Sequence, residues 1–134
     1  MNFFAKKDKM VKLLKKEHLI YQVYPSDISD HLLDFFGIDY KIEGNLFLLE
    51  RFFPVKAYEV YFREHVPIGC YEAFKKRSEN LCRYGIEVLI VVDRVQSITR
   101  GAFSQTCFLS IEELYMGVKK GHQITKLIED SAEK

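Results

Sequence analysis

Tryptophan is absent from the 134 residues, proline occupies three positions, cysteine three and glycine seven. So little glycine and proline excludes collagen-like and low-complexity chains and points to an ordered globular protein. Cys70, Cys82 and Cys107 are odd in number and show no Cys-x-x-Cys spacing. That excludes a disulfide framework and a closed zinc site, and the expectation is three buried, reduced thiols. No apolar run approaches the roughly 18 residues that a bilayer span requires. The N-terminal lysines are not followed by an apolar segment with a small-residue cleavage site, so the expected setting is intracellular and cytoplasmic, with no membrane contact. Gly101 stands alone rather than in a phosphate-binding loop. His18, His31, His65 and His122 form no His-x-x-x-His pair, and no Gly-x-Ser-x-Gly turn is present. Nucleotide-loop, zincin and serine-hydrolase chemistries are excluded on those grounds.

What is present is charge, unevenly laid out. Residues 1 to 20 hold six lysines against Asp8 and Glu17, residues 21 to 50 hold six acids against Lys41, and residues 51 to 100 hold nine basic against six acidic residues. The formal net charge is only +1. A whole-protein nucleic-acid signature is therefore missing, while local fields remain.

The organising stretch is Ile86-Glu87-Val88-Leu89-Ile90-Val91-Val92-Asp93. A run this apolar and this short reads as a strand buried on both faces, which needs helices above and below it. Helical patterning over Tyr71 to Tyr84 and Ile111 to Lys120 supplies them, giving an α/β class with a mixed central sheet and helices on both faces. At this length one domain over residues 1–134 is expected, with a tail from about residue 122 only partly ordered.

The other elements follow from period and punctuation. Met10, Val11, Leu13 and Leu14 predict an amphipathic first helix whose outer face carries Lys6, Lys9, Lys12, Lys15 and Lys16. Leu19 to Tyr24 is extended, and Ser26 or Asp27 caps a short helix to Phe36. Alternation from Ile38, the dipeptide Gly44-Asn45 and the return from Leu46 to Phe53 predict a hairpin. Tyr58, Val60 and Phe62 alternate with Glu59, Tyr61 and Arg63, predicting a third strand, half exposed and near an edge. The helix after Pro67 buries Tyr71, Phe74, Ser78, Leu81 and Cys82 and ends at Gly85. A short strand, Thr106 to Leu109, precedes Ser110-Ile111-Glu112-Glu113, a capping box that opens the last long helix. Ile124, Leu127 and Ile128 add one docked turn. Asp93 ends the central strand where open α/β sheets place ligands.

This order of elements resembles the core of the restriction-endonuclease-like PD-(D/E)XK superfamily, and of archaeal-type Holliday-junction resolvases in particular. The likeness rests on the lysine-rich first helix, the hairpin Ile38 to Phe53, the helix from Glu72 to Gly85, the strand Val88 to Val92 and Phe108-Leu109-Ser110-Ile111-Glu112-Glu113-Leu114. It implies a nuclease-like core in which two acids, Asp39 and Glu50 here, hold Mg²⁺, an ion that prefers oxygen ligands and neutralises charge on a phosphate. The lysine expected two residues after the second acid is Phe52. Arg51 beside it does not deprotonate near neutral pH, which leaves Lys56 as the third catalytic candidate with Asp39 and Glu50. The implied enzyme, if active, is a Mg-dependent endonuclease, and the replacement by Phe52 favours a degenerate site.

A second resemblance, of Phe36-Gly37-Ile38-Asp39-Tyr40 and Ala57-Tyr58-Glu59-Val60, is to the catalytic domain of tRNA-splicing endonucleases. The Tyr, His and Lys of that family fall near Glu43, Lys56 and Glu87, so this likeness implies a non-catalytic subunit. Two functions are expected accordingly. One is binding of DNA or RNA through Lys9, Lys12, Lys16, Arg51, Lys75 and Lys76, with Arg77 and Arg83 in the same basic cluster. The other is a protein-interaction or structural role, as a homodimer paired through Tyr61, Phe52 and Phe53. The first predicts that the two basic segments face the same way, the second an apolar patch between two copies.

Overall fold

Ile86–Val92 is a strand in which Ile86, Val88, Leu89, Ile90 and Val91 are fully buried. Each such side chain contributes about 1.5–3 kcal/mol of burial. Alternate residues join different cores. Leu89 and Val91 pack with Phe3, Met10 and Leu14, whereas Ile86, Val88 and Ile90 pack with Phe74 and Leu81. The two-sided apolarity read from the sequence is therefore what separates the helices into two layers.

The computed structural model describes residues 2–17, 20–22, 46–50, 56–82, 85–95 and 106–132. Within these, the helices are α1 (Phe3–Lys16), α2 (Tyr71–Cys82), α3 (Ile111–Lys119) and α4 (Ile124–Ala132). The strands are β1 (Ile20–Gln22), β2 (Leu46–Glu50), β3 (Lys56–Phe62), β4 (Ile86–Val92) and β5 (Thr106–Ser110). The sheet runs in the order β1-β2-β3-β4-β5, antiparallel from β1 to β3 and parallel from β3 to β5. It is mixed, as expected. α1, α3 and α4 cover one face and α2 the other.

Local chemistry explains the helix ends. The Asn2 side chain accepts from the Ala5 amide at 2.8 Å and Ser110 accepts from the Glu113 amide at 3.1 Å, so both helices are N-capped, the second as the sequence predicts. α3 closes in a paired turn, with His122 N–H donating to Gly117 O and Gly121 N–H to Val118 O, around Gly121 at φ 77°. The chain then enters α4, in which Ile124 is buried and Leu127 and Ile128 pack on the same core, so the single docked turn expected there is a nine-residue helix. Gly117 is the point of closest approach, since a Cβ there meets Leu127 Cδ2 at 2.3 Å.

Three expectations are corrected. Leu46–Leu48 is paired with β1 on one side and β3 on the other, so the Ile38–Phe53 hairpin is re-partnered: a strand has two edges and both are occupied. Ile38 to Asn45, Phe52 and Phe53 lie outside the described residues. Cys70 and Cys82 are exposed, and Cys107 is half-buried with its Sγ donating to Glu87 Oε2 at 3.2 Å, so the expected burial of the cysteines fails. β3 is the middle strand, not near an edge, and its polar face is covered by α2.

That cover is possible because a charge is neutralised beneath it. Glu59, entirely buried, receives Arg77 Nε at 2.9 Å and Nη2 at 2.7 Å, a two-pronged pair, and the Tyr61 hydroxyl also donates to its carboxylate. Tyr61 packs edge-on against Phe74, with centroids 5.1 Å apart. Arg77, half-buried, is therefore committed to Glu59 rather than to an outward basic cluster. Tyr61 likewise is a packing residue, not an exposed dimer aromatic.

Removing one member of such a pair strands the other charge. Arg77→Met is expected to lose about 3–5 kcal/mol in urea denaturation, and Glu59→Leu with Arg77→Met to recover most of it. A double variant as unstable as the single one would contradict the pairing.

Burial first, then the hydrogen bond to Glu59 and its charge, push the Tyr61 phenol well above its ordinary value, with Arg77 opposing weakly. The folded chain thus holds this proton more tightly than the unfolded chain. The associated stability is complete below about pH 10 and declines as pH rises beyond it. Tyr61→Phe is expected to show a smaller loss of urea midpoint between about pH 9 and pH 11 than the parent. A steeper loss in the variant would contradict this.

Candidate nucleic-acid interface

Helical spacing puts Lys9, Lys12 and Lys16 on one outward stripe of α1, at i, i+3 and i+7, opposite the buried Phe3, Met10 and Leu14. All three lysines are exposed. Lys6 and Lys7, less exposed, bend toward the carboxyl ends of the parallel strands. Lys6 Nζ lies 3.5 Å from Asp93 and 3.7 Å from Glu112, and Lys7 Nζ lies 5.7 Å from the Phe62 ring centroid. Asp93 is thereby placed at the end of β4 as an ion-pair partner of α1.

α3 lies beside α1 and brings Tyr115 against the lysine stripe. Lys9 Nζ is 4.9 Å and Lys119 Nζ 5.5 Å from the Tyr115 ring centroid, both within cation–π range. Neither ammonium makes a salt bridge among the described residues. Between the helices runs a groove of about 290 Å³ lined by Lys6, Lys9, Ile111, Glu112, Tyr115 and Met116. Met116 is 50% exposed there, and Phe4, at 68%, is the other large exposed hydrophobic among the described residues.

The second basic segment does not join this face. Lys75 and Lys76 are exposed on α2, across the sheet from α1, because Phe74 and Leu81 belong to the opposite core. The common orientation expected of the two segments is thus not found. Arg51 and Arg83 lie outside the described residues, and Arg77 is consumed by Glu59.

Among the expected metal-site residues, Asp39 lies outside the described residues. Glu50 and Lys56 are direct cross-strand partners at the end of β2 and β3 that residues 51–55 join, so the register does bring these two positions together. Among the described residues no group of three or more His, Cys, Asp or Glu side chains is placed to hold a metal ion, and no helix is long and apolar enough to cross a membrane.

Tyr115 and Lys119 were absent from the expected interface. Their spacing of four on one helix was the available signal, since it sets an aromatic beside a cation. Nothing in the sequence places Lys9 there too. Comparison with protein-family models, curated proteins and solved structures finds no match to this chain.

Proposed function

We propose that this chain binds nucleic acid along α1 and the adjoining edge of α3, and holds the strand without cutting it efficiently. The observation that carries this reading is the convergence of Lys9 and Lys119 on Tyr115, neither ammonium forming a salt bridge among the described residues. Two like charges gathered at one ring repel each other, and a phosphate relieves that repulsion while releasing its counterions. Lys12 and Lys16 extend the basic stripe along one side of α1.

The nuclease-like part of the reading is supported by the order of helix, antiparallel strands, helix and parallel strands. The non-cutting part is supported by Phe52, which stands where the resembled nucleases keep lysine. Without an ammonium there, water activation and charge stabilisation at phosphorus lose a partner worth several kcal/mol.

Replacing Lys9, Lys12 and Lys16 together by Glu is expected to abolish a low-salt gel shift. Lys75→Glu with Lys76→Glu, on the far side of the sheet, should leave the shift in place. The salt slope of the parent should be steep, at about −0.7 to −0.9 per phosphate neutralised. A shift that survives the α1 triple change, or that vanishes with the α2 pair alone, overturns the assignment. With Mg²⁺ or Mn²⁺ added, substrates should emerge intact. Robust cutting lost in both Glu50→Ala and Lys56→Ala would show an active site at the β2–β3 end.

A further inference from the structure

The groove between α1 and α3 has two chemically different ends. At one, Asp93 and Glu112 surround Lys6 and leave a local excess of carboxylate, which repels phosphate. At the other, Lys9 lines the groove against Tyr115 and Lys119 approaches the same ring from outside the lining, and neither forms a salt bridge among the described residues. Between them the lining is apolar: Ile111 is buried beneath, Met116 is half exposed and the Tyr115 ring stands at the side. Exposing Met116 in water costs apolar burial that a flat partner would recover.

We propose that this groove takes one unpaired base of a single-stranded nucleic acid, stacked against Tyr115 and Met116, with the adjoining phosphate held by Lys9 and Lys119. The inference rests on the nucleic-acid reading above and names the form of the ligand. The groove, at about 290 Å³, suits one planar ring system with its sugar rather than a drug-sized ligand. A duplex hides its base faces in the stack, so it offers the lysines phosphate but leaves the apolar lining unfilled. A single strand satisfies both, since every base has a face to stack and is followed by a phosphate.

The absence of tryptophan from the chain makes the test local, because Tyr115→Trp installs the sole indole at the groove. Its emission is to be followed during titration at low salt with oligo-dT, oligo-U and a duplex of equal phosphate number. Both single strands should quench it strongly and the duplex weakly. The DNA and RNA arms separate the two sugar types.

By anisotropy of labelled strands, Tyr115→Ala should weaken single-strand binding about 5- to 150-fold, the range for loss of one stacked base, and duplex binding less than about twofold. Tyr115→Phe should restore the difference. Met116→Glu, at an exposed position that tolerates a charge in the fold, should likewise penalise single strands more than duplex. Equal losses for the two forms in the Tyr115→Ala and Met116→Glu variants overturn the groove proposal and leave the basic-face reading standing. No binding of any strand by the parent overturns that reading as well.

Discussion

Burial of β4 on both faces is the constraint from which the rest of the architecture follows. A strand that is apolar on alternate and intervening positions alike has to be covered twice, and a helix supplies only one apolar stripe. One layer is therefore provided by α2 and the other by α1, α3 and α4. This division has a direct electrostatic consequence. The two lysine-bearing helices present their outer faces in opposite directions, so the basic residues of α1 and α2 do not add into one field. A near-neutral chain thereby keeps a locally basic face on the α1 side, strengthened only by what α3 brings to it.

The buried Glu59 belongs to the same constraint. β3 lies between β2 and β4 and is covered by α2, so a carboxylate on its covered face has no water to turn to. Arg77 supplies two aligned donors from α2 and Tyr61 a third from the same strand, which converts a desolvated charge into a clamp between helix and sheet. Such a pair adds little net stability over an apolar replacement, yet it penalises any other register of α2 on the sheet, because a shifted helix leaves Glu59 unpaired. The pair thus ties the placement of α2 to one residue on β3.

On the opposite layer, α3 is positioned from both sides. Gly117 admits Leu127 of α4 at close range, while Tyr115 and Glu112 meet Lys9 and Lys6 of α1. The cap at Ser110, the last residue of β5, fixes where α3 leaves the sheet. The groove between α1 and α3 is consequently set by backbone geometry and small-residue packing, with its charges carried on lysine stems long enough to adapt to a ligand.

Much of the fold was legible in the residues. β4, the stripe of α1, the cap at Ser110 and the glycine ends at Gly85 and Gly121 are local patterns of period and punctuation, and these act over a few residues whatever the rest of the chain does. The alternation of β3 was also readable, but not its central place, since a glutamate on the polar side of an alternating strand looks the same facing water as facing a half-buried arginine 18 positions on. The pairing of Leu46–Glu50 depended on which strands compete for its two edges, and the turn signal at Gly44-Asn45 carries no information about that competition. Of the candidate interface, Lys9, Lys12 and Lys16 were determined by sequence spacing alone. Their separation from Lys75 and Lys76, and the meeting of Lys9 with Tyr115 and Lys119 across more than a hundred residues, were decided only by tertiary packing. The physical reason is that helical period fixes which side chains share a face, whereas which faces meet depends on how the whole apolar surface is buried at once.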